Sequence, residues 1–423
     1  MQDIGIESPI KYRLLEMERA VRRTLDRVKG HRFKSPYEEE IKQTIEYILT
    51  EFSYSLEKWS NEVIGLKQES AARFVDYVRI NLDLLLGMIE DILSQEAVTE
   101  LYYFLDFYLD ILLGEKILEN RPKILITKGY ELKTYLFPQS EDLWVIEVPA
   151  KIESNVFEWP TLLHELAHIV ENKLKIVDEV FKRSYIPKDV ESGTVDVMDY
   201  FHCKEYLCDY IALLLCGPIW LFILYDLYLL PTYRLPKTHP EWINRVIVLK
   251  EKISFDLRDL RQKIFTYDFM PLSKEDKERL ARFIDNVEQL KLEEPQLKPI
   301  YRRPPLLDSI LNSVESKLTN FRFKFDLEDV ANSISNLVRF KPYISKKVYI
   351  VRREEGRLEC GDIDINIIIN AGYLIYRCNI FSQEIKEYFG LDEYRMKSEF
   401  MYLVTECIRS ARIAMLAGQA LLS

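Results

Sequence analysis

Glu158-Trp159-Pro160-Thr161-Leu162-Leu163-His164-Glu165-Leu166-Ala167-His168-Ile169-Val170 is the stretch from which the rest of this chain is read. Its centre is His-Glu-x-x-His. On a helix, residues four apart lie on one face, one turn above each other. His164 and His168 can therefore reach one ion together. Glu165 is turned to the flank of that face, where a carboxylate can touch a water on the ion without being a ligand. Two imidazoles holding Zn²⁺ with a glutamate as general base is the zinc-hydrolase arrangement. Pro160 suits the first turn of a helix. Leu162, Leu163, Leu166, Ile169 and Val170 give that helix an apolar body, which predicts burial. The chain has only five histidines, so a chance match to this spacing is improbable.

Catalytic zinc usually takes three protein ligands and a water. Glu205, in Lys204-Glu205-Tyr206-Leu207-Cys208-Asp209, is the expected third ligand. Asp209, one turn further on, is expected to accept a hydrogen bond from a ligand histidine and fix its tautomer. The apolar run that follows Asp209 draws this helix into the core. His202, one turn before Glu205, is the rival third ligand or a neighbour of the ligands. Cys203 and Cys208 lie close enough in sequence to be weighed as soft ligands. His239 could donate a hydrogen bond to an oxyanion, with Tyr233 and Arg245 as further donors. A capping role at a helix start is the bland alternative for His239.

His164-Glu-x-x-His168, Glu205-x-x-x-Asp209, then Thr238-His239-Pro240 with Arg245, resembles the gluzincin metallopeptidases. Within them it is most similar to the CAAX prenyl protease and heat-shock-type membrane peptidase group. The resemblance spans residues 159–249. It implies His164, His168 and Glu205 as zinc ligands and Glu165 as catalytic base. Members of that group usually carry clear transmembrane helices, and this chain departs from them there. The uncharged run at residues 210–225 is shorter than the roughly 20 residues a span needs and is interrupted by Gly217-Pro218. It is expected to be a buried core helix, with no stable membrane span.

The chain has 423 residues, 48% of them hydrophobic and 30% charged, the balance of a globular protein long enough for two or three domains. A net charge of −10 disfavours nucleic acid as a partner. The six cysteines form no Cys-x-x-Cys pair, and no charged-then-apolar leader opens the chain, so reduced thiols in the cytoplasm are expected.

The expected fold is mainly α (α+β), a zincin-like core with a small β-sheet flanked by helical regions. Residues 1–120 read as helical, with helices near 36–60, 68–94 and 97–118 and a capping box at Ser35-Pro36-Tyr37-Glu38. Residues 121–268 form the core. Its strands are expected at 123–127, 134–137 and 143–148, followed by the metal helix, a loop over 182–194, a helix over 197–215, and another opening at Thr238 and running through Ile264. Residues 269–423 read as mostly helical. Ser273 opens a charged helix ending near Leu292, residues 293–305 form a proline-rich linker, and helices follow over 306–318, 327–340, 362–371 and 394–422. An extended piece at 347–352 interrupts them. The expected function is hydrolysis of a peptide or protein substrate. A zincin-fold scaffold that binds a protein partner through its helical flanks, with structural or vestigial metal, is the alternative, and a zinc hydrolase of a non-peptide amide is a third.

Overall fold

The computed structural model describes residues 7–32, 38–62, 68–93, 99–137, 140–184, 197–229, 238–252, 257–266, 272–290, 303–317, 327–340, 352–354, 357–359, 365–390 and 392–422. The fold is mainly helical with a small mixed sheet. The chain divides into two compact units, Met1–Tyr102 with Arg121–Ala150, and Tyr103–Asn120 with Lys151–Ser423.

The first unit holds α1 (Glu7–Gly30), α2 (Glu38–Glu62), α3 (Gln68–Leu93), the start of α4 (Thr99–Gly114), and a sheet of β1 (Lys123–Gly129), β2 (Lys133–Leu136) and β3 (Leu143–Pro149). The sheet order is β1-β3-β2, with β3 parallel to β1 and antiparallel to β2. Apolar stripes at helical spacing, such as Leu14, Val21 and Val28 on α1 and Ile41, Ile45 and Leu49 on α2, share one core with Leu125, Phe137, Leu143 and Val145 of the sheet region. That shared core departs from the three-part division expected from the sequence. The strands close over the N-terminal helices, because their apolar faces are what those helices need to leave water.

The second unit carries α5 (Ala150–Ser154), α6 (Thr161–Leu174), α7 (Ile176–Ser184), α8 (Val197–Cys216), α9 (Ile219–Leu229), α10 (Trp242–Lys252), α11 (Leu257–Thr266) and α12 (Lys274–Gln289). α13 (Leu307–Lys317), α14 (Leu327–Leu337), α15 (Ile365–Cys378), α16 (Gln383–Tyr388) and α17 (Glu393–Leu422) complete its helices, and a two-stranded ribbon joins β4 (Arg352–Glu354) to β5 (Arg357–Glu359). α6 packs on α8, α9 on α10, and α15 on α14, α17 and α9. Residues 269–423 are therefore continuous with the helices around α6 instead of forming a separate region.

Several expectations are met residue by residue, and others change. Ser273 caps α12, its hydroxyl accepting from the Asp276 N–H at 3.1 Å. The single helix expected from Thr238 through Ile264 is two, α10 and α11. The loop expected over 182–194 begins inside α7 and otherwise lies outside the described residues. So do the capping box before Glu38, nearly all of the proline-rich linker and most of the extended piece at 347–352. The apolar run at 210–225 is buried but bends into α8 and α9 at Gly217-Pro218. Among the described residues, no helix is long and apolar enough to cross a membrane.

Two glycines are required by geometry. Gly217 ends α8 at φ 74°, with its N–H bonded to Leu213 O at 2.9 Å. Gly372 on α15 lets Phe157 approach, since a Cβ there would stand 2.9 Å from the Phe157 ring. Because a side chain at φ 74° clashes with its own backbone, Gly217→Ala is expected to lower stability by about 1–2 kcal/mol in urea titration. An unchanged midpoint would show that the corner is not held in this conformation.

Candidate metal centre

The helix that carries the motif is built from local signals. Asn155 caps a short 3-10 turn, its side chain accepting from the Phe157 N–H at 3.1 Å. Pro160 lies immediately before α6 with φ −58°, already helical. The Thr161 hydroxyl donates to Glu158 O, and α6 ends at Lys175, whose N–H bonds back to Glu171 O. Between these ends every side chain from Thr161 through Glu171 is buried except that of His168, which is half-buried.

His164 and His168 rise from one face of α6 with ring centroids 4.8 Å apart. α8, packed across them, delivers Glu205. Its Oε2 is 3.3 Å from His164 Nε2 and its Oε1 is 3.7 Å from His168 Nε2. One ligand atom from each of the three lies within 4.8 Å of the others. Glu205 Oε2 is fully buried and accepts no properly directed hydrogen bond. His164 Nε2 and Arg245 Nη1 are near it but off the hydrogen-bond direction, and a cation between the carboxylate and the two imidazoles would satisfy it more fully. Two nitrogens and an oxygen at this separation suit Zn²⁺.

A further layer fixes these three side chains. Asp209 is completely buried. It stands 3.0 Å from His164 Nδ1 and accepts from Arg245 Nε at 2.6 Å, Arg245 Nη2 at 2.5 Å and Trp220 Nε1 at 3.2 Å. Trp220 also stacks on the His164 ring, with centroids 5.5 Å apart and planes 20° apart. Arg245 lies over the Trp242 ring. Cys208 Sγ is 3.2 Å from His168 Nδ1. At the more open side, His239 Nε2 is 3.5 Å from Glu205 Oε1 and its Nδ1 is 3.1 Å from the Thr238 hydroxyl.

The electrostatics follow from this layering. Burial pulls His164 down, but the Asp209 and Glu205 carboxylates beside it outweigh that and raise it to about 9. Burial pulls His168 down to about 4, helped by the neighbouring charge of His164. Burial would raise the Glu205 carboxyl, yet His164 close beside it, with His168 and Arg245, holds it well below the usual range. Asp209 is likewise held low against its burial, by Arg245. Burial lowers His239, so it is neutral at pH 7.

The structure thus brings His164, His168, Glu205, Asp209, His239 and Arg245 together from three helices and the turn before α10. Glu165 is buried on α6 beside its ligand neighbours. His202 is half-buried on α8 and does not join the ligand group; Cys203 is buried with its thiol pushed up to about 12. Tyr233 lies outside the described residues. Two side chains weighed as alternatives sit behind the histidines. Arg245 gives two of its N–H groups to Asp209, which commits it beneath His164 instead of at an oxyanion. Cys208 faces the far nitrogen of His168, in keeping with the structural thiol favoured from sequence. Trp220 was not foreseen, because it hides inside an apolar run and the helix break removes any helical spacing that would tie it to Asp209.

In the metal-free protein, His164 is raised above its unfolded value of about 6.5. Its stabilising contribution is full below pH 6.5 and is lost as pH rises through about 9. His168 is depressed to about 4, so the unfolded state gains its proton first and stability falls as pH drops below about 6.5. Thermal unfolding of chelator-treated protein is therefore expected to be most favourable to the fold near neutrality. Zinc loading at pH 7 should displace the His164 proton, visible as a heat that depends on buffer ionisation enthalpy. Heats independent of the buffer would contradict the assignment. Comparison of the chain with models of known protein families, with curated proteins and with solved structures finds no match, so the reading of this centre stands on its geometry.

Proposed function

We propose that this chain is a zinc-dependent peptidase of gluzincin type, with His164, His168 and Glu205 as ligands and Glu165 as general base. The observation that carries the reading is the convergence of two imidazoles on the buried Glu205 carboxylate, one on each of its oxygens. When bound, zinc supplies Lewis acidity, acidifying a water and polarising a carbonyl. His164 and His168 offer their Nε2 atoms, and Asp209 holds His164 so that its proton stays on Nδ1. The Glu165 carboxylate accepts a proton from the attacking water and passes it to the leaving amine. His239, neutral and about a third exposed, is the side chain able to steady the oxyanion with an N–H.

A scaffold with a structural metal would need a closed site, ordinarily four protein ligands. Among the described residues the group contains three, which supports an open position for substrate. The five described cysteines are free buried thiols, in keeping with a reducing, cytoplasmic setting. The acidic net charge supports a peptide or protein substrate over nucleic acid. A non-peptide amide would use the same groups.

Elemental analysis should find about one zinc per chain in the wild type and a large loss in His168→Ala. Equal zinc in both would remove His168 from the ligand set. Glu165→Gln keeps shape and removes the base. It should retain zinc and lose about 10²–10⁴-fold in turnover, read as peptide termini that appear with wild type and are missing with the variant. Termini unchanged by the variant, with zinc retained, would reject the peptidase reading.

A further inference from the structure

Asn370 lies on α15, in the region expected from sequence to be separate from the metal helices, and it is 1% exposed. Its side-chain amide spans the corner between α8 and α9. The Oδ1 accepts from the Ile219 N–H at 2.7 Å, one of the orphan donors at the start of α9. The Nδ2 donates to Cys216 O at 2.8 Å, a carbonyl at the end of α8, and to Asn366 O at 2.7 Å. The corner's own backbone bonds join Gly217 N–H to Leu213 O, Trp220 N–H to Gly217 O and Phe222 N–H to Pro218 O, while the Ile219 N–H and the Cys216 carbonyl are taken up by Asn370. Asn366, one turn earlier, is held in turn by the Tyr108 hydroxyl. Further along α9, Asp226 takes hydrogen bonds from Tyr373 and Arg377 of α15, so this helix is fastened to α15 at both ends.

Trp220 is the residue after Ile219. It is the side chain that lies flat on His164 and donates to Asp209. The direction of the Trp220 ring depends on how α9 leaves the corner, and Asn370 sets that departure. We propose that Asn370 is a positioning residue for His164, acting through Trp220, so that α15 contributes to the centre without touching it. The consequence for metal binding rests on the zinc reading above; the bracing of Trp220 does not.

The test uses the full chain labelled with 5-fluorotryptophan, with the Trp220 resonance assigned by Trp220→Phe. In metal-free protein, Asn370→Ala should shift or broaden the Trp220 signal and leave those of Trp59 and Trp144 in place. Zinc affinity, measured with Zn²⁺ against a chromophoric chelator, should fall about tenfold in Asn370→Ala and in Trp220→Phe. The double variant should lose little more than the worse single, since both act on one path. Ile334→Ala, a buried truncation on the adjacent α14, should lower the melting temperature without moving either readout. If Asn370→Ala does not fold, the isosteric Asn370→Asp, which keeps the acceptor for Ile219 and removes the amide donor, is judged by the same criteria. An unmoved Trp220 resonance overturns the proposal whatever the metal does. Additive losses of affinity in the double variant overturn it too. If wild type binds no zinc, the peptidase reading fails and the Trp220 resonance alone decides whether Asn370 braces the ring.

Discussion

A buried ion pair beneath His164 is the constraint on which the centre depends. Asp209 is fully buried and Arg245 is 2% exposed. Taking both from water is expensive, and their attraction offsets that only with good geometry and every polar atom engaged. Here the carboxylate receives two guanidinium N–H groups, the Trp220 indole N–H and the His164 ring. Loss of one partner from such a pair typically costs about 3–5 kcal/mol, because the other charge stays buried. The pair therefore ties α6, α8, α9 and α10 together at the point where His164, His168 and Glu205 converge.

The charges around the centre nearly balance without an ion. Glu205 and Asp209 are held ionised, and His164 and Arg245 are held positive. A divalent cation would take the place of one proton on His164.

The two histidines are not equivalent. His164 is backed by a carboxylate and stacked by an indole, whereas His168 is backed by a thiol and is partly open to solvent. A carboxylate makes a more basic and better-oriented ligand than a buried thiol does. His164 is thus the more firmly held imidazole, with His168 and His239 on the more accessible side. The distant α15 enters this picture because two backbone groups at the Gly217-Pro218 corner, the Ile219 N–H and the Cys216 carbonyl, bond to the Asn370 side chain.

Much of this was legible from local patterns. The spacing of His164 and His168, the placement of Glu205 and Asp209 on a second helix, the Ser273 cap and the three strands all depend on periodicity and capping chemistry within a few residues. Such signals survive in sequence because helix and strand geometry is local. Tertiary structure alone decided that the strands pack with the N-terminal helices, that Arg245 pairs with Asp209, that Trp220 covers His164 and that Asn370 splints the corner. Those contacts join residues tens to hundreds of positions apart. No period encodes them, and they arise only when apolar faces exclude water and bring the polar groups within hydrogen-bond reach.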